Sequence, residues 1–197
     1  MLQRIVYTLK MLWRYRIALV DANQTAIDCQ TEQLSPQQFQ HQGVTELVLD
    51  FDGVLSAHGD LQPLPAIESW LNQCVNVFGA SHIFILSNKP MSQRIDYFAQ
   101  HYAGIRFITG VQKKPYPDGL QAVIELTQQP PQTVILLDDR LLTGVLATYI
   151  AGTQHAYITQ PYRNFKQHPV KEAFFQLLRY TERFFVRTIL ARQPINN

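Results

Sequence analysis

The chain has 197 residues, 46% of them apolar and 16% charged, with a formal net charge of +2 at pH 7. That length and apolar share suit one domain with a substantial core and exclude global disorder, and so small a charge argues against a general nucleic-acid binder. The two cysteines, Cys29 and Cys74, lack metal-type spacing, which argues against a disulfide framework or zinc site and for a reducing, cytoplasmic setting. No apolar run approaches the roughly 18–20 residues of a membrane span. Lys10, Arg14 and Arg16 interrupt anything resembling an export signal, so no export is expected.

In chain order, Leu2, Ile5, Val6, Leu9, Leu12, Trp13, Ile17 and Val20 recur with helical period, with Arg4, Lys10 and Arg14 largely off that stripe. The pattern predicts one basic amphipathic helix over residues 1–20, whose partner is an anionic membrane surface, the chain's own domain or a second subunit. Ser35 and Pro36 read as an N-cap and first helical position of a short helix ending near Gly43.

Within the stretch from Glu46 to Leu55, the apolar run Leu47 to Leu49 reads as a strand that delivers two carboxylates, Asp50 and Asp52, to its carboxyl end. Alternation turns Phe51 into the core, and Gly53 lets the chain leave sharply. Further strands are predicted over His82–Asn88, Ile105–Thr109, Thr133–Asp139 and His155–Thr159, and helices over Pro65–Phe78, Pro90–Tyr102, Pro117–Thr127 and Leu141–Ile150. Near-continuous apolar strands alternating with helices predict an α/β fold: a doubly wound, parallel, five-stranded sheet covered on both faces. From Val170 to Leu190, the residues Val170, Phe174, Leu177, Leu178, Thr181, Phe185 and Ile189 form an apolar stripe, with Lys171, Arg179, Arg183 and Arg187 among the rest. The expected organisation is a helical extension over residues 1–43, a core over 44–160, and a basic C-terminal helix within 161–197 packed on the core or on a partner.

Ligands of such sheets lie at the carboxyl ends of the strands, where Asp50, Asp52, Ser87, Asn88, Lys113, Lys114, Asp138 and Asp139 gather. Neighbouring carboxylates repel, and a hard divalent cation relieves them, so a magnesium ion held by Asp50, Asp52 and one or both of Asp138 and Asp139 is expected. In a phosphoryl-transfer reading, Asp50 is the nucleophile and Asp52 the acid and base; Ser87 donates to phosphoryl oxygens, and Lys114 neutralises charge. Gly53, Asn88 and Arg140 are the candidate substrate contacts. Taken singly, these residues have plainer readings: Ser87 and Asn88 as a cap before Pro90, Lys113 as a solvated charge, and His58 as a loop residue in water.

The ordered set resembles the haloacid dehalogenase (HAD) superfamily. The stretch Asp50 to Leu55 is similar to its first motif, Ser87-Asn88 to its second, Lys114-Pro115 to its third and Leu137 to Asp139 to its fourth, over about residues 44–160. Residues Leu34 to Val44 and Asp139 to Val145 resemble the YqeG-type subfamily IIIA phosphatases, related to the mitochondrial phosphatidylglycerophosphate phosphatase. Two departures stand out: Asp138 replaces a glycine of that family, and Gly144 an aspartate. The resemblance implies a HAD-like Rossmannoid core and a magnesium-dependent phosphatase acting through an aspartyl-phosphate. The gaps between motifs are too short for a cap domain, which suits a bulky phosphorylated substrate such as an anionic phospholipid at the inner face of a membrane. The alternatives are a phosphatase of a small sugar or nucleotide phosphate closed by a partner subunit, and a silent scaffold binding membrane or protein.

Overall fold

The computed structural model describes residues 2–190. Residues 191–197 of the predicted C-terminal segment lie outside the described residues, as do the side chains of Leu2 and Ile189 in the two terminal stripes. The strands are β1 (Glu46–Leu49), β2 (Ile83–Ile85), β3 (Arg106–Phe107), β4 (Val134–Asp138) and β5 (Gln154–Tyr157). All neighbours pair in parallel, in the order β3-β2-β1-β4-β5.

Alternation along the strands builds two cores. Leu47, Leu49, Ile83, Ile85, Ile135 and Leu137 face one layer with α3 (Pro36–His41), α4 (Pro65–Phe78) and α5 (Ser92–His101). Val48, Phe84, Val134 and Leu136 face the other, with α6 (Asp118–Thr127) and α7 (Leu146–Ala151). Period-2 side-chain placement means that both faces are buried, and this is why the strands read as unbroken apolar runs. Chain order reverses across β1, so a crevice opens at the carboxyl ends of β1 and β4.

The predicted N-terminal helix is two helices, α1 (Leu2–Arg14) and α2 (Arg16–Gln24), broken at Tyr15, whose backbone leaves the helical region (φ −103, ψ 18). The bend lets Met11, Leu12, Leu19 and Ala22 converge on Leu141, Val145 and Leu146. The helix expected from Leu141 begins as a π-helical turn, Leu141–Val145, in which Val145 N–H donates to Arg140 C=O. The C-terminal helix α8 (Pro169–Phe185) runs into another such turn, Val186–Leu190, and Val186 and Leu190 join the same third core. Both ends of the described chain therefore pack on the domain itself.

Much of the apolar stripe of each terminal helix nevertheless faces outward. On α8 the buried residues are Glu172, Arg179 and Glu182, while Val170, Phe174, Leu177, Tyr180 and Phe184 are each more than half exposed. On α1, Ile5, Val6, Leu9 and Trp13 are likewise more than half exposed. Among the described residues, no helix is long and apolar enough to cross a membrane.

Candidate active site

Asp50 follows β1 directly, Asp138 ends β4, Asp139 comes next, and Lys114 stands on the loop between β3 and α6. Parallel register puts these ends side by side. Lys114 Nζ lies 3.1 Å from Asp50 Oδ1 and also pairs with Asp138 Oδ2, bridging β1 and β4. All four side chains are buried. Burial works against the charge of Lys114, yet Asp138 and Asp50 outweigh it and hold its pKa above the ordinary value. Burial also raises the Asp50 carboxyl to about 8; Lys114 opposes this, and Asp138, Asp139 and Asp52 add to it. Asp138 is raised chiefly by burial as well.

One carboxylate oxygen of each of Asp50, Asp138 and Asp139 lies within 4.8 Å of the others, a donor set that fits a hard cation. Asp139 Oδ1 is buried with no protein partner, an acceptor that such a cation would satisfy. The Asp52 carboxylate, expected among the ligands, stands outside this cluster. Arg94 Nη2 and Nη1 donate to it at 2.7 and 3.2 Å and Gly59 N–H at 3.3 Å. Burial disfavours its charge, but Arg94 overcomes that and holds Asp52 below the usual carboxylate range. Between the two acids, Phe51 is fully buried beneath the Arg94 guanidinium, 3.8 Å from its ring centroid.

A cavity of about 510 Å³ opens over this floor, and Asp50, Asp52, Lys114, Asp139, Asn88 and Arg140 line it. Ser87 and Gly53 do not. The buried Ser87 hydroxyl accepts the Lys89 N–H at 3.1 Å, a turn-closing bond. Gly53, at φ +89, lies under Asp139; a Cβ there would sit 2.6 Å from Asp139 Oδ2, so only glycine fits. Asn88 clamps the lysine loop, its Oδ1 accepting Lys114 N–H at 2.8 Å. Arg140 donates its backbone N–H to Asp138 Oδ1 at 2.9 Å and pairs its guanidinium with Glu182.

The sequence reading missed what α8 supplies. Glu172, Phe175, Arg179 and Glu182 recur at helical spacing on one face, from which Phe175 lines the cavity. Arg179 donates to Asp139 Oδ2, Glu182 holds Arg140, and Glu172 Oε1 accepts the His58 N–H at 3.0 Å. His58, expected in water, is buried and stacked on Phe175 with ring centroids 3.7 Å apart. Burial, and then Arg179, lower its pKa to about 4 against the pull of Asp52 and Glu172, so it is neutral at pH 7. At the other rim, Arg4 of α1 donates to the Lys114 carbonyl at 2.6 Å. The short gaps between motifs hold no cap-sized insertion, and the terminal helices line the cavity through Arg4 of α1 and Lys171 and Phe175 of α8.

Residues 10–163 match the family described as mitochondrial PGP phosphatase. No curated protein matches the chain. A solved structure of an uncharacterized protein from Corynebacterium glutamicum ATCC 13032 Kitasato is similar at 23% identity and a TM-score of 0.45, over 68% of this chain and 96% of that one.

Proposed function

The chain belongs to the family of mitochondrial PGP phosphatases and is a phosphoric monoester hydrolase; from that premise we propose a magnesium-dependent reaction through an aspartyl-phosphate on Asp50, with a lipid phosphate at a membrane surface as substrate. The observation that carries the proposal is the floor of the cavity, where Asp50 meets Lys114 beside two more buried carboxylates. Asp50, Asp138 and Asp139 are the residues that would hold the magnesium, which when bound supplies positive charge for the phosphoryl oxygens.

In the first half-reaction an Asp50 oxygen bonds to phosphorus, the bond to the substrate alcohol breaks, and Asp52 gives that alcohol its proton. In the second, Asp52 takes a proton from water as the water oxygen attacks phosphorus, releasing inorganic phosphate and restoring Asp50. Arg94 favours the ionised form of Asp52, the form that accepts the proton of water. Lys114 offsets negative charge throughout, and Asn88 holds it in place through its backbone. The outward apolar faces of α1 and α8 beside the cavity support a lipid rather than a small soluble substrate.

The test is phosphate release from phosphatidylglycerophosphate in vesicles, from a small chromogenic phosphate and from a phosphopeptide, each with and without magnesium. The vesicle substrate is expected to be turned over fastest, by orders of magnitude, and Asp50→Asn to abolish release while leaving the melting temperature in place. Equal silence of wild type and Asp50→Asn across the panel would overturn the mechanism. Equal turnover of the soluble phosphate would overturn the lipid substrate alone.

A further inference from the structure

Arg4 stands between two concavities. On one side is the catalytic cavity; on the other is a groove of about 340 Å³ lined by Ile5, Thr8, Leu9, Pro115, Leu142 and Thr143, and Arg4 lines both. Its place is fixed twice over. Nη2 is bonded to the Lys114 carbonyl, and Tyr7, the next residue along that side of α1, stacks on Tyr116 with ring centroids 4.3 Å apart. The rest of the guanidinium has no protein acceptor among the described residues. Lys89, Lys113 and Lys171 also line the cavity, and none of these four cations has a carboxylate within salt-bridge reach among the described residues.

A phosphate monoester carries no more than two negative charges, and the charges of Lys114 and a bound divalent ion are met by Asp50, Asp138 and Asp139. The four cations without a carboxylate partner exceed those two charges, and the cavity volume is in the range that encloses a drug-sized ligand. Resting on the lipid-phosphate reading above, we propose that Arg4 binds a second phosphate of the substrate, a phosphodiester one glycerol unit from the monoester, and directs the acyl-bearing end into the apolar groove. The order in space matches the order along such a molecule: acids at the monoester, guanidinium at the diester, apolar wall at the first acyl carbons. A planar guanidinium with open donors is the side chain best shaped for two phosphate oxygens. Arg4 lies outside the residues matched by the family, so this is a property of the chain's own N-terminal helix.

The test reads binding, not turnover. The Asp50→Asn protein with magnesium is titrated calorimetrically with three ligands: glycerol 3-phosphate, which has the monoester alone; glycerophosphoglycerophosphate, which adds the diester; and dihexanoyl phosphatidylglycerophosphate below its micellar concentration, which adds short acyl chains. The second ligand is expected to bind about tenfold or more tightly than the first. That ratio should collapse toward one with Arg4→Ala and partly return with Arg4→Lys. Leu9→Ser, at an exposed position of the groove wall, should cut the gain of the third ligand over the second. Equal affinities for the first two ligands, or a ratio indifferent to Arg4→Ala, would overturn the proposal, even if anionic vesicles still bind. Loss of turnover in wild type would instead count against the phosphatase mechanism, and the affinity ratio would stand or fall separately.

Discussion

Gly144 and Asp138 compete for one space. A Cβ at position 144 would lie 2.0 Å from Asp138 Cγ and 2.1 Å from its Oδ2, so an acid at 138 demands the absence of a side chain at 144. The pattern that this stretch resembles has glycine first and aspartate later, and here acid and glycine have traded places around one metal-sized gap. Gly144→Ala is therefore expected to lower stability by about 1–3 kcal/mol in urea titration, and the added change Asp138→Gly to restore it. The full exchange, Asp138→Gly with Gly144→Asp, should keep magnesium-dependent phosphate release, and its complete loss would refute the trade. His58 gives the second prediction at this scale. Burial and Arg179 hold its folded pKa near 4 against an ordinary 6.5. Between those values the unfolded chain binds a proton that the folded one refuses, so stability is intact above about pH 6.5 and falls as pH drops toward 4. His58→Phe, which keeps a ring against Phe175, should flatten that part of the stability profile relative to wild type. Parallel profiles would show that His58 does not drive it.

Among the elements, the strands and the order of their polar ends are legible in the sequence because a doubly buried parallel strand must be an apolar run and a strand end must be a break in it. Asp50, Lys114, Asp138 and Asp139 are found that way, each by its position after such a run or in the loop that follows. Arg94, Arg4, Arg179 and Glu182 are not, because a polar residue on a helix looks solvated unless its tertiary partner is known. The sequence of α8 is an extreme case: its apolar stripe invites packing inward, but the helix turns Glu172, Arg179 and Glu182 toward the catalytic loops, which need counter-charges, and leaves the stripe outside. That face gives a prediction. Replacing Phe174 and Phe184, both more than half exposed, with serine should weaken co-sedimentation with anionic vesicles about tenfold, with no fall in melting temperature. Unchanged sedimentation would show that this face of α8 does not bind membranes.

At the level of the whole molecule, the two terminal segments and the loop after β4 share one core, in which Met11, Leu12, Leu19, Val186 and Leu190 cover Leu141, Val145 and Leu146. The family match stops at residue 163 and so omits α8. A chain cut to residues 10–163 would uncover several fully buried apolar side chains, each worth about 1.5–3 kcal/mol, against a total stability of about 5–15 kcal/mol. Its urea midpoint should fall sharply and its activity vanish, whereas a stable, active fragment would make the terminal helices dispensable. The sheet is polar in another sense too: every catalytic candidate lies at or beyond the carboxyl ends of the strands, and the turn from Gln128 to Gln132 lies at the amino end of β4. A fluorophore or surface anchor attached at the exposed Gln128 or Gln132 would therefore report on or immobilise the enzyme from its far side, leaving the mouth of the cavity clear for substrate.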